Sequence, residues 1–212
     1  NRTSFCQTVA GEISHAEDLG TFAVAILDLD NFKVFNEAYG RTTGDTIIMK
    51  FVERIKEAAD GILLARLGND QFGALIPAPS DEKAAIQFAG RMLPLFARPY
   101  RLGEHTHHVT ACIGISLYPQ HGTSPEELLQ NASLALDLAK SEGHGNFGIY
   151  RSRMHQISLS KISLGNDLQH ALENDEFKLY YQPKISTKTG RLVGAEALLR
   201  WYKPDLGIVP PS

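Results

Sequence analysis

Five consecutive residues, Gly68-Asn69-Asp70-Gln71-Phe72, join two short apolar runs, Ile62 to Leu67 and Phe72 to Ile76. Gly, Asn and Asp between such runs read as a tight hairpin turn. An acid at a hairpin tip is placed to face a ligand, and here its neighbour is an amide. The group has the character of a metal-and-phosphate turn with one carboxylate removed, so catalysis there is expected to be impaired. A second acidic group, Asp28-Leu29-Asp30-Asn31-Phe32-Lys33, closes a buried strand. Magnesium binds through oxygen, usually one or two carboxylates plus substrate phosphates. The C-terminal end of a sheet strand, with Lys33 in the following turn, is a natural place for that chemistry. Acids after a strand also simply cap helices, so both readings stand for this segment taken alone. Asn36 and Gly44-Asp45 form a third group, whose carboxamide and carboxylate can together read the edge of a guanine. Helix capping by Asp45 and a turn at Gly40 account for the same residues. His105, His107 and His108 could suggest a metal site, but their alternation near a hairpin loop fits a solvated turn better.

Strands and helices alternate around these groups. Phe22 to Leu29 is nearly all apolar, as expected of a strand buried on both faces. Thr43 to Ala59 carries Ile47, Ile48, Phe51, Ile55 and Ala58 at helical spacing, and the charges at Glu53 to Glu57 read as a solvated face. Asp81 to Phe96 is a second helix with acids in its first turn. Val109 to Leu117 reads as a strand, with Tyr100 to Leu102 as its possible hairpin partner. Ser124-Pro125-Glu126-Glu127 is a strong helix start, and that helix stops at Gly143 and Gly145. Phe147 to Tyr150 is a final short strand. The order implies an α/β (α+β) fold with a mainly antiparallel central sheet flanked by helices.

One domain is expected over residues 1–150. Residues 151–176 carry a stripe of Met154, Ile157, Lys161, Leu164, Leu168, Ala171 and Leu172, the pattern of a connecting helix that Gly165 could bend. Phe177 to Lys184 and Leu192 to Trp201 then read as two strands of a second domain, residues 177–212, because a lone hairpin is only marginally stable. Trp201 is expected to pack inside that domain.

The chain has 212 residues and a formal charge of −3, with a pI near 6.3. That balance argues against a nucleic-acid partner, which would demand clustered Lys and Arg. Cys6 and Cys112 lack metal or redox spacing and read as buried free thiols of a reducing, cytoplasmic compartment. No apolar run approaches the roughly 20 residues of a membrane span, and no signal peptide is visible. The ends, Asn1-Arg2-Thr3 and Pro210-Pro211-Ser212, are abrupt, so a fragment of a longer polypeptide is expected. The remainder of that parent could include a membrane anchor or an upstream sensor.

Taken together, Asp28 through Asn36, Tyr39-Gly40, Gly44-Asp45, Ala65 through Phe72, Ala139-Lys140 and the opening Asn1-Arg2 resemble the GGDEF family. These are diguanylate cyclase domains, which condense two GTP into cyclic di-GMP on a nucleotide-cyclase-like fold. The resemblance covers about residues 1–150, and several motifs in order make it specific. It implies that Asp28, the carbonyl of Leu29 and Asp70 bind magnesium or manganese, with Asp70 also near the attacking hydroxyl. Lys33 and Lys140 would touch phosphates, Asn36 and Asp45 would hold guanine, and Gly68 would border the nucleotide. The departures are informative. Gln71 stands where a metal-binding Glu is expected, which weakens the cation site. Loss of one such interaction typically costs on the order of 100- to 1,000-fold in rate. Asn69 replaces a Gly that lets backbone approach the nucleotide, and His144 replaces an Arg near the phosphates. Ala59 and Ile62 replace the Arg-x-x-Asp of an inhibitory product site.

Tyr180-Tyr181-Gln182-Pro183 and Glu196-Ala197-Leu198-Leu199-Arg200-Trp201 resemble the opening of an EAL domain, a cyclic di-GMP phosphodiesterase built on a barrel. That resemblance implies a metal ligand at Glu196 and dinucleotide contacts at Gln182 and Arg200. Its later metal ligands lie beyond Ser212, so the fragment itself is not expected to hydrolyse the dinucleotide. Three functions remain in contention: a GTP-binding regulator of the attached phosphodiesterase, an active or weakly active cyclase working as a homodimer, and a docking unit without nucleotide. The retained guanine and phosphate residues favour the first.

Overall fold

Every residue of the run Phe22–Leu29 is buried, and this strand organises the first of two units, Asn1–His155 and Gln156–Ser212. The computed structural model describes residues 1–16, 20–58, 61–77, 82–204 and 207–209. Helix α1 (Arg2–Ala16) leads into β1 (Phe22–Leu29), then α2 (Phe32–Tyr39) and α3 (Arg41–Ala58). A hairpin of β2 (Leu63–Arg66) and β3 (Gln71–Pro77) follows, then α4 (Glu82–Phe96). Two short strands, β4 (Tyr100–Leu102) and β5 (His105–His107), precede β6 (Ala111–Tyr118), α5 (Pro125–Glu142) and β7 (Phe147–Ile149). Helix α6 (Arg153–Glu173) continues into the second unit, with β8 (Phe177–Ile185), β9 (Leu192–Lys203) and β10 (Gly207–Val209).

The central sheet has the order β2-β3-β1-β6-β7. Three of its pairings are antiparallel, and only β6 with β7 is parallel. Successive side chains of β1 leave on opposite faces. Ala23, Ala25, Leu27 and Leu29 join a core with Ile47, Phe51 and Ile55 of α3 and Phe88 and Met92 of α4. Phe22, Val24 and Ile26 join a second core with Phe5 and Val9 of α1 and Leu128, Leu129 and Leu136 of α5. Helix α5 lies so close to the sheet that a β-carbon on Gly114 would come within 2.1 Å of the Ala132 carbonyl. Its start is fixed as expected: Ser124 accepts from the Glu127 amide, with Pro125 in the first turn.

Several expectations need correction. A helix does follow the acids at the end of β1, but not by side-chain capping: α2 opens on Asn31 in a left-handed conformation that makes no cap hydrogen bond. Tyr100–Leu102 pairs with His105–His107, not with the strand that follows. The histidines are not uniformly solvated: His107 is buried with its ring edge-on to Phe35 and Tyr39. Nor is the charged stretch of α3 merely a solvated face. Arg54 reaches the carbonyls of Leu95, Phe96, Arg98 and Pro99, and its guanidinium lies 3.6 Å above the Tyr100 ring centre. Asp81, Ala59 and Pro210 to Ser212 lie outside the described residues.

In the second unit, β8 and β9 form a long antiparallel hairpin and β10 adds to β9. Helix α6 is continuous through Gly165. Lys203 of β9 pairs with Asp167 of α6, and the buried Trp201 donates its indole N–H to Glu176 at 2.9 Å. The sheet has three strands, so the barrel implied by the resemblance stays an expectation. Among the described residues no helix is long and apolar enough to cross a membrane.

Candidate functional site

The alternation along β1 decides where Asp28 goes. It continues the series Phe22, Val24, Ile26 and so faces α5, the helix that carries Lys140 in its last turn. A cation in that turn suits the helix dipole. Lys140 Nζ lies 2.5 Å from Asp28 Oδ1, and the acid is only 3% exposed. The register of β1 against β3 sets Gln71 directly opposite Asp28. Cross-strand partners share a face, with β-carbons roughly 5 Å apart. Gln71 Nε2 accordingly donates to Asp28 Oδ2 at 2.8 Å. An ionised carboxylate can only accept, which fixes the amide with its NH2 toward the acid. Both oxygens of Asp28 are therefore engaged by donors.

The turn beside this pair is closed by its own backbone. The amides of Leu67 and Gly68 both donate to the Gln71 carbonyl, at 2.9 and 3.3 Å. Arg66 folds over the tip, donating from Nε to Gly68 O and from Nη2 to Asn69 O. Leu29 N donates to Asp70 O at 3.3 Å, tying the turn to the end of β1. The Asp70 carboxyl is pushed above the usual carboxylate range, first by burial and then by the charge of Asp28; Lys140 and Arg66 pull it partly back.

On the other side of Asp70 opens a cleft of about 800 Å³. Four predicted residues line it together: Lys33 and Asn36 from α2, Asp45 from α3, and Asp70. Arg41 and Arg66 also line it and were not singled out from the sequence. Their only signal was position, Arg41 after Tyr39-Gly40 and Arg66 just before the turn. The Asn36 Oδ1 is buried without a hydrogen-bond partner among the described residues. It rests on Gly44, where a β-carbon would stand 1.8 Å away. A buried amide oxygen left without a partner is costly unless a ligand supplies one. The cleft thus holds cations for an anionic group and an amide with a carboxylate for a polar ring edge.

His144 does not join that cleft. Its Nδ1 sits 3.6 Å from Asp30 Oδ1, and its Nε2 is 3.3 Å from the Asn31 amide nitrogen. Asp30 is otherwise held by Thr110 Oγ1 at 2.6 Å and the Gly145 amide at 2.8 Å. Asn31, in a left-handed conformation at φ 54°, makes the bend between β1 and α2 that separates the two environments. Cys112, opposite Asp28 on β6, is buried, and burial foremost raises its thiol pKa to about 11.

In the second unit, Gln182 of β8 is the register partner of Glu196 on β9. Arg200, four residues on, shares that face by the two-residue period. Lys184 contacts Glu196 at 3.2 Å, and all three predicted residues are solvent-accessible.

The residues at the turn do not fit a divalent cation as they stand. Asp28 is committed to a lysine and an amide, and position 71 contributes a donor where an oxygen ligand is needed. Among the described residues no group of three His, Cys, Asp or Glu side chains is placed to hold a metal ion.

Comparison with known proteins gives a consistent result. The family model described as "Diguanylate cyclase, GGDEF domain" matches residues 1–146, and the EAL domain model matches residues 165–212. The chain is 39% identical over 194 residues to the bifunctional diguanylate cyclase/cyclic di-GMP phosphodiesterase MucR of Pseudomonas aeruginosa, covering 90% of this chain and 28% of that protein. It is 34% identical over 213 residues to the cyclic di-GMP phosphodiesterase PdeR of Escherichia coli, covering 100% of this chain and 32% of that one. It therefore spans about a third or less of these relatives. Among solved structures, the GGDEF domain of YfiN (TpbB) from Pseudomonas aeruginosa superposes with a TM-score of 0.71 at 30% identity, over 75% of this chain and 94% of that one.

Proposed function

Since this chain belongs to the GGDEF family and runs on into the start of an EAL domain, we propose that it is a regulatory module of cyclic di-GMP signalling. Residues 1–150 form a degenerate cyclase domain that binds GTP and turns it over poorly. Residues 151–176 are the connecting helix, and residues 177–212 open the phosphodiesterase domain whose state the bound nucleotide biases. Such coupling requires that GTP bind the two states unequally. The module works in the cytoplasm, the reducing compartment that its free thiols Cys6 and Cys112 suit.

The observation that carries this reading is the contrast between two neighbouring groups. The cleft keeps Lys33, Asn36 and Asp45 together with an amide oxygen awaiting a partner. The reacting side has lost a carboxylate to Gln71, whose amide engages Asp28. Recognition survives while cation chemistry is weakened. Calorimetry of the chain with GTP and magnesium, alongside a product assay for cyclic di-GMP, tests it. Heat of binding without product supports the regulator. Rapid product formation would replace it with an active, dimeric cyclase, and no signal in either assay would leave a docking unit.

A further inference from the structure

Gln71 does more than omit a ligand. A carboxylate at that position would repel Asp28 and turn both acids toward a shared cation. An amide donates instead, and with Lys140 it satisfies both oxygens of a buried acid. A divalent ion arriving at Asp28 would have to displace a charge-assisted contact and turn the amide away from its acceptor. Lys33 and Arg41, by contrast, line the cleft and make no ion pair among the described residues, so both are available to an anion. We infer that GTP binds this cleft without a divalent cation, the protein's own cations meeting the triphosphate, and that Gln71 is the residue that sets this independence. The inference rests on the GTP-binding reading above and adds its cation requirement.

The test is calorimetric titration of GTP into the whole chain, once in EDTA and once in excess magnesium, with Gln71→Glu in parallel. The wild-type dissociation constants are expected to agree within about twofold, whereas Gln71→Glu should bind about tenfold or more tightly in magnesium than in EDTA. Manganese titrated alone, followed by electron paramagnetic resonance, gives a readout without nucleotide: the variant should retain the ion and the wild type should not. Wild-type binding only in magnesium would overturn this inference and leave the regulatory reading standing. Failure to bind GTP in either buffer would overturn that reading and this one with it. Should Gln71→Glu not fold, the wild-type comparison decides alone.

Discussion

Asn36 and Gly44 are in contact across α2 and α3, with the amide oxygen occupying the space that a β-carbon on residue 44 would need. A glycine here serves the neighbouring side chain, not a turn, since it sits inside α3. Gly44→Ala should therefore displace Asn36 from the cleft. Overpacking of this kind typically costs about 1–3 kcal/mol, and a swing of the amide would hold the stability loss near the low end. GTP affinity should fall about tenfold or more. Titration paired with thermal melting separates the two, and a variant that binds as well as wild type would remove Asn36 from the recognition group.

Lys140→Met would leave the Asp28 carboxylate buried with only the Gln71 amide for company. Removing one partner of a fully buried pair costs about 3–5 kcal/mol, and the partial exposure of Lys140 argues for less, about 1–3 kcal/mol. Adding Asp28→Asn to the same chain should recover most of that loss. Urea denaturation of the single and double variants checks this; equal stability of the two would contradict it.

Arg54 offers a prediction far from the cleft. Its guanidinium closes the end of α4 by serving four carbonyls and covering Tyr100. Arg54→Met keeps the length but no donors, and should destabilise the first unit by about 2 kcal/mol. GTP binding at temperatures below the melt should be unchanged.

His121 introduces a pH dependence. Its ring is buried, Nδ1 accepts from the Leu117 amide at 3.1 Å, and its pKa is lowered, first by burial and then by the positive charge of Arg151. The unfolded chain takes up this proton first, near pH 6.5. The contribution is thus fully present above about pH 6.5 and is lost as the pH falls through the lowered folded value. Melting temperatures should drop on acidification from about pH 7.5 to about 5.5, more steeply in wild type than in His121→Gln. Parallel profiles for the two would assign the loss to other groups.

Much of the scaffold is legible in the residues themselves. A short run that is apolar but for Asp28 reads as a strand covered on both faces, and β1 is one. Ser124-Pro125 announces a helix start through capping chemistry that is local by nature. What depends on distant partners is not legible. The bond from Gln71 to Asp28 joins residues 43 positions apart, and only the register of β1 on β3 brings them opposite. Arg54 looks like any exposed helix charge until α4 ends beneath it. His107 is drawn into an aromatic cluster with Phe35 and Tyr39, which its own neighbours in sequence do not foretell. The start of helix α2 was hidden for another reason, the helix being short and opening on a left-handed asparagine instead of a conventional cap.

The two-residue rhythm of β1 couples foldability to chemistry. A slip of one position would carry Asp28 toward Phe51 and Phe88 and leave an ionised acid in an oily layer, while Leu27 or Leu29 would meet Lys140. A misthreaded chain is thus penalised twice by the same error, once for its core and once for its acid. A polypeptide that has settled at all has already assembled its polar pair, so the domain carries a built-in proofreader of its own site.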